Sequence, residues 1–243
     1  MGRVIIVGDA HIGRCGGKRH RRFASFLDFV KAQKPKALLL AGDIFEFMHG
    51  NAGWVLKKYP DIFDKLKNIS ASGTAVYYAY GNHDFCFNIK DLKLNSAPMF
   101  EKINIAGKNF FFSHGDGVDP SDTKYHFLKK VLRSKITQLI LKLTPDNILY
   151  PLAGFFSSIS RKVDHAPQVL EKRSKAYKDY ALDLLKKGGL DAVVLGHTHV
   201  AELCRLSDPG RVYVNPGYFG KDHSYAIIEN DNSVYIGVFD KGC

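Results

Sequence analysis

Apolar residues along this chain fall into two kinds of pattern, and their alternation predicts the architecture. Short runs at 4–7 (VIIV), 37–41 (ALLLA), 75–80 (AVYYAY), 109–113 (NFFFS) and 192–195 (AVVL) are aliphatic, β-branched or aromatic. Each reads as a strand opening into a loop that begins with Gly, Asp or His. Helical spacing takes over between the first runs. Phe23, Phe26, Leu27 and Val30 share one face of a helix predicted over 23–32, which runs into Lys34-Pro35, and 54–69 reads as a second helix. Strand–helix alternation of this kind belongs to α/β folds. The carboxyl end changes character: 211–214, 224–228 and 233–236 are short strands, with Asn230-Asp231-Asn232 as turn chemistry between the last two. No repeat, low-complexity tract or linker interrupts the chain. Its 243 residues, 45% hydrophobic, predict a single domain over 1–243.

The interval 122–185 departs from that alternation and predicts a mostly helical insertion. Leu128, Leu132, Ile136, Leu139, Ile140 and Leu143 recur at helical spacing across 127–143, and Lys129, Lys130, Arg133, Lys135 and Lys142 fill much of the remainder. A second apolar cluster at 148–156 follows Pro145. A basic amphipathic helix beside aromatics fits an element lying in a membrane interface. It fits equally a helical cap whose apolar face packs on the core. Charge adds to the picture: 35 Lys and Arg against 24 Asp and Glu give +11, and 14 basic against 6 acidic residues in 122–187 supply +8 of it. Such a patch suggests an anionic partner: nucleic acid, nucleotide or membrane surface. Interleaving with long aliphatics rather than stacking aromatics weighs against nucleic acid. No apolar run reaches the roughly 18–20 residues of a membrane span. The amino terminus lacks a signal-peptide layout, and Cys15, Cys86, Cys204 and Cys243 show no CxxC spacing or disulfide framework. A cytoplasmic protein is expected.

The strand-like runs lead into five motifs: Asp9-Ala10-His11, Gly42-Asp43, Gly81-Asn82-His83-Asp84, His114-Gly115-Asp116 and Gly196-His197-Thr198-His199. Carboxyl ends of strands are where α/β sheets place their active sites. Asp, Asn and His without Cys form an oxygen–nitrogen ligand set suited to Mn²⁺, Fe²⁺ or Zn²⁺, and its hardness favours Mn²⁺. Two metals fit better than one, because a carboxylate such as Asp43 can bridge a close pair.

The ordered motifs resemble those of the calcineurin-like metallophosphoesterases, over nearly the whole chain. The resemblance implies a four-layer αββα sandwich of two mixed β-sheets, a metal pair at one end, and a 122–185 cap inserted in the domain. The carboxyl-terminal strands would then be a meander completing the second sheet. It also implies that Asp9, His11 and His199 ligate one metal, that Asn82, His114 and His197 ligate the other, and that Asp43 bridges them. A hydroxide held by such a pair attacks phosphorus, and His83 meets the charge on the phosphoryl and leaving oxygens. Asp84 is expected to orient His83, and Asp116 to orient His114.

Gly42-Asp43-Ile44-Phe45-Glu46 lacks the Gly-Asp-x-x-Asp-Arg-Gly run of protein phosphatases and dinucleoside tetraphosphatases. With Asp122-x-x-Tyr125 and Arg173-Ser174-Lys175, it resembles the UDP-2,3-diacylglucosamine diphosphatases of lipid A biosynthesis. That likeness implies release of UMP and 2,3-diacylglucosamine 1-phosphate by an enzyme resting on the inner face of the membrane. Asp122, Ser174 and Lys175 would contact substrate beside His83, with Arg161 and Lys162 as further candidates. No nucleic acid and no obligate protein partner is expected. His83 stands where many members of that branch have arginine, and Asn215-Pro216-Gly217 is a feature of phosphodiesterases at large. A general phosphodiesterase or phosphatase on small nucleotides therefore stays open, as do a metal-dependent nuclease and a non-catalytic scaffold.

Overall fold

The computed structural model describes residues 2–13, 15–49, 53–85, 94–119, 123–132, 134–145, 148, 167–207 and 210–240. Asp122, Arg161, Lys162, Cys86, Cys243 and 149–156 of the second apolar cluster lie outside them.

Six strands form one sheet: β1 (Val4–Val7), β2 (Ala37–Leu40), β4 (Ala75–Ala79), β6 (Asn95–Ala97), β12 (Ser224–Ile228) and β13 (Val234–Val238), in the order β13-β12-β1-β2-β4-β6. Five form another: β7 (Met99–Ile105), β8 (Lys108–Ser113), β9 (Ala192–Val194), β10 (Glu202–Arg205) and β11 (Val212–Asn215), in the order β10-β11-β9-β8-β7. β3 (Met48–His49) and β5 (Asp84–Phe85) pair separately. Both large sheets are mixed. β1, β2, β4 and β6 run parallel, as do β8, β9 and β11, while β12 and β13 at one edge, and β7 and β10 at the other sheet's two edges, pair antiparallel.

Side-chain alternation shows why the sheets stack. Successive residues of a strand point to opposite faces. Val4 and Ile6 of β1 and Leu39 of β2 meet Phe110 and Phe112 of β8 and Val194 of β9 between the sheets. Ile5, Val7, Leu38 and Leu40 face the other way, onto Phe23, Phe26, Leu27 and Val30 of α1 (Lys18–Gln33) and Ile62, Phe63 and Leu66 of α3 (Pro60–Ala71). Phe111 and Val193 cover Tyr177, Ala181 and Leu185 of α6 (Pro167–Lys186). The order is helix, sheet, sheet, helix, the αββα sandwich that the motifs implied. A strand such as β1, buried on both faces, has to be apolar throughout, which is why the runs were legible.

Three expectations shift. The helix expected over 54–69 is α2 (Gly53–Lys58) and then α3, divided at Tyr59-Pro60, because a proline fits the first turn of a helix but not its interior. The periodicity of 127–143 belongs to α4 (Thr123–Leu132) and α5 (Lys135–Leu143), and the Ser134 hydroxyl caps α5 by accepting from Thr137 N (3.2 Å). The carboxyl-terminal strands do not all join the second sheet. β11 does, but the β12–β13 hairpin pairs on β1 and extends the first. Both sheets offer apolar faces to one shared core, so a strand's own pattern does not say which sheet it joins.

Candidate metal centre

The motifs stand at the carboxyl ends of β1, β2, β4, β8 and β9, and the backbone there is bent into an uncommon shape. Asp9 (φ 52°), His11 (45°), Asp43 (51°), His197 (68°) and His199 (60°) all adopt the left-handed conformation. Each such residue costs about 1 kcal/mol or more, and strain of this kind collects at functional sites. The sheet holds the strained loops together: Asp9 N donates to Gly42 O, His11 N to Asp43 O (both 3.0 Å) and Gly196 N to His114 O (2.9 Å). Glycine is needed where loops touch. A Cβ on Gly81 would lie 2.0 Å from Asp43 Oδ1, and one on Gly42 2.7 Å from His114 Nδ1.

Two ligand-like groups result. In the first, His199 Nε2 lies 3.3 Å from His11 Nε2 and 3.1 Å from Asp9 Oδ1. In the second, His114 Nε2 lies 3.1 Å from His197 Nδ1, 3.2 Å from Asn82 Oδ1 and 3.4 Å from Asp43 Oδ2. Metal–ligand bonds of about 2.0–2.2 Å put neighbouring ligands of one ion roughly 3 Å to 3.5 Å apart, so these spacings would fit the edges of a coordination shell. Asp43 joins the groups: Oδ1 accepts from His83 N (2.9 Å), and Oδ2 also reaches His11 Nε2 at 3.8 Å. Asp9 Oδ1 is buried without a hydrogen-bond partner, an arrangement that a cation would satisfy. Among the described residues a third grouping, His11, Glu46 and His83, shares His11 with the first and brings in Glu46.

Electrostatics prepare these groups for a cation. Burial, and next the neighbouring His83 ring, hold His11 well below its ordinary value; burial and His114 do the same to His197, so both present neutral imidazoles. Burial opposes charge on Asp43 as well, but His114 and His83 overcome it and keep the carboxyl well below its usual range. His114 is the counterpart: the Asp43 carboxylate outweighs burial and raises it to about 10. In the metal-free protein a proton on His114 neutralises the Asp43 charge. Its Nδ1 donates to Ala41 O (2.7 Å), which aims Nε2 at the centre.

The carboxylates expected to orient the histidines do other work. Asp84, buried, accepts from the backbone N–H of Asp43 (2.9 Å), Ile44 (2.7 Å) and Gly81 (2.9 Å) and from the Tyr78 hydroxyl. It fixes the Asp43 loop, while His83 Nδ1 donates to Glu46 O (2.9 Å). Burial and the neighbouring Asp43 charge raise Asp84 to about 7. Asp116 pairs with Lys129 of α4 at 2.7 Å, tying the insertion to the loop that carries His114. Of the substrate candidates, Ser174 donates to Glu202 Oε2 (2.9 Å) and Lys175 is exposed.

Four further residues support the loops. Tyr177 donates to Gly115 O (2.6 Å), and Tyr218 stacks on His199 with ring centres 4.2 Å apart. Asn215 donates to Gly196 O (3.1 Å) and Thr198 Oγ1 (2.9 Å), and Arg19 bonds to His11 O (3.3 Å). The Asn-Pro-Gly run marked the Asn215 turn, but Arg19 and Tyr177 carry no such signal.

Comparison with known proteins agrees with this geometry. A family model for calcineurin-like phosphoesterases matches residues 2–201. The UDP-2,3-diacylglucosamine hydrolase of Pseudomonas putida is 26% identical over 220 residues, 86% of each chain. That of Blochmanniella pennsylvanica is 26% identical over 201 residues, 81% of this chain and 78% of its own. A solved structure described as a novel archaeal phosphodiesterase superposes with a TM-score of 0.50 at 14% identity, covering 98% of this chain and 99% of that one, a likeness of fold.

Proposed function

The chain belongs to the calcineurin-like phosphoesterase family and is a metal-dependent hydrolase; from that premise we propose that it cleaves the phosphoanhydride of UDP-2,3-diacylglucosamine, giving UMP and 2,3-diacylglucosamine 1-phosphate. The observation that carries a two-metal reaction is the sharing of Asp43 Oδ2 between the His11 and His114 groups (3.8 and 3.4 Å). Substrate identity rests on relatives at 26% identity that bear this activity in their names.

On this reading Asp9, His11 and His199 hold one divalent ion, Asn82, His114 and His197 the other, and Asp43 both, with Mn²⁺ preferred by the mixed oxygen–nitrogen set. When bound, the pair supplies Lewis acidity and a water acidic enough to be a nucleophile at neutral pH. The protein's part is orientation and proton placement. The Glu46 carbonyl can only accept, so His83 carries a proton on Nδ1 and points Nε2 inward, 3.9 Å from Asp43 Oδ2. A neutral His83 therefore accepts at Nε2, and only its imidazolium donates there to a leaving oxygen. Asp84 holds Asp43 in register. Of Ser174 and Lys175, the exposed lysine is the freer to meet a diphosphate, since the serine hydroxyl is engaged by Glu202.

The exposed faces of α4 and α5 support a glycolipid substrate. Phe127 (70% exposed), Ile136 (74%) and Leu143 (73%) turn to solvent beside Lys130 and Lys135. An apolar face rimmed with cations suits the surface of an anionic bilayer, so the enzyme acts as a peripheral protein on the cytoplasmic face. Among the described residues no helix is long and apolar enough to cross a membrane.

The test is hydrolysis of UDP-2,3-diacylglucosamine with Mn²⁺, followed by phosphorus NMR beside bis-p-nitrophenyl phosphate. Fast UMP release with slow turnover of the diester is expected. The reverse ranking would favour a general phosphodiesterase, the reading that His83, in place of the lipid branch's arginine, supports.

A further inference from the structure

The hydrogen bonds of Arg19 go to no candidate ligand side chain, yet its guanidinium links the loop that carries His11 to residues 218–220. Nη1 donates to His11 O (3.3 Å), Nε to Gly220 O (3.0 Å) and Nη2 to the Tyr218 hydroxyl (3.1 Å). Tyr218 stacks on His199, with ring centres 4.2 Å apart and planes inclined by 21°, and meets the edge of His11 at 5.7 Å. Gly220 N donates to Asp9 O at 2.9 Å. All three residues of the first group therefore lean on residues 218–220, and Arg19 fastens that segment to His11.

Charge alone argues against an arginine at this position. It stands in the first turn of α1, where a cation opposes the helix dipole by roughly 0.3–1 kcal/mol, and it lies beside a site for a dication. What a guanidinium offers here is shape: a rigid fork that serves three acceptors at once, which lysine, with a single nitrogen on a flexible stem, does not reproduce. The backbone it holds is under strain at Asp9, His11 and His199. Left-handed residues relax unless their surroundings fix them.

We propose that Arg19, acting through His11 O and Tyr218, is a positioning residue for the first metal and not for the second. The proposal rests on the two-metal reading above. Loss of a partner behind a ligand commonly lowers metal affinity by about 10–100-fold, and a shift of that size is expected at the first site alone.

The experiment is calorimetric titration of Mn²⁺ into metal-stripped full-length protein, with far-ultraviolet circular dichroism as the control for folding. His197→Ala isolates the first site and His199→Ala the second. Adding Arg19→Gln to His197→Ala should weaken the remaining site about tenfold or more. Adding it to His199→Ala should leave the remaining site within about twofold. Arg19→Lys should fall between wild type and Arg19→Gln. Tyr218→Phe keeps the ring on His199 but loses the hydroxyl, and should weaken the first site by a smaller factor. Equal weakening of both sites, or of neither, overturns the proposal, as does a Tyr218→Phe protein with unchanged first-site affinity should Arg19→Gln fail to fold. Two intact sites accompanied by a raised KM would make Arg19 a substrate contact instead. A wild-type protein that binds no Mn²⁺ is a separate outcome and refutes the metal reading itself.

Discussion

Asp43 has two oxygens with two separate duties. Oδ1 is occupied by His83 N at 2.9 Å, and Oδ2 faces His114 and His11 at 3.4 and 3.8 Å. Asp43→Ala should accordingly weaken both metals by 100-fold or more and abolish turnover; a variant that keeps two metals by elemental analysis would refute the shared carboxylate. Gly81→Ala tests the same atoms from the other side. Its Cβ would stand 2.0 Å from Oδ1 and 2.6 Å from Asp43 N, so the loop must move. Metal affinity should drop at least tenfold in a protein that still folds, measured by the same titration. A third prediction concerns pH. The folded value of His114, about 10, lies above its ordinary 6.5, so its stabilisation is complete below about 6.5 and lost as pH rises through 10. Metal-free protein should lose stability between pH 7 and 10, by at most about 1.4 kcal/mol per pH unit. Bound metal takes the place of that proton, so urea unfolding with Mn²⁺ should lack the slope. The candidate ligands were readable as a set because metal chemistry favours Asp, Asn and His at strand ends. Arg19 was not, since one arginine among Lys18, Arg21 and Arg22 looks like its neighbours until Tyr218 is seen beside it.

Elements were legible where burial dictates pattern. β1 and β2, buried along their whole length, and the apolar face of α1 needed no tertiary information. The first turn of α1 was missed because its residues, Lys18 to Arg21, include only one buried side chain, His20, which pairs with Asp61 at 3.0 Å. The join between α4 and α5 was missed because apolar spacing continues across it while the backbone does not. Periodicity says that an apolar face exists, not what covers it. In α5 that face is exposed, with Leu139 and Ile140 each 57% accessible. Glutamate at both positions should therefore change thermal stability by less than about 1 kcal/mol, as at other surface sites. The same variant should bind anionic vesicles several-fold more weakly in a sedimentation assay. Unfolding of the variant would mean that the face is covered in solution.

At the scale of the whole molecule, the metal groups and the face proposed for attachment to a membrane surface should respond to different conditions. The metal groups are buried at the strand ends, with Asp9 and His114 inaccessible to solvent, so added salt screens them little. In sequence, 122–187 holds +8 of a net +11, and among the described residues Lys130 and Lys135 are exposed alongside the apolar face of α4 and α5. Each Lys or Arg close to an anionic bilayer contributes about 1 kcal/mol, and the contribution fades over a Debye length, about 10 Å at 0.1 M salt and 3 Å at 1 M. If the surface reading holds, raising NaCl from 0.05 to about 0.5 M should cut turnover of glycolipid in anionic vesicles by roughly tenfold or more. Turnover of bis-p-nitrophenyl phosphate, which needs only the metal pair, should stay within about twofold over the same range. The same glycolipid in neutral detergent micelles separates substrate from surface. Its rate should follow the small diester if the cations serve the membrane. It should follow the vesicles if they grip the diphosphate itself, and attachment would then rest on the apolar face alone.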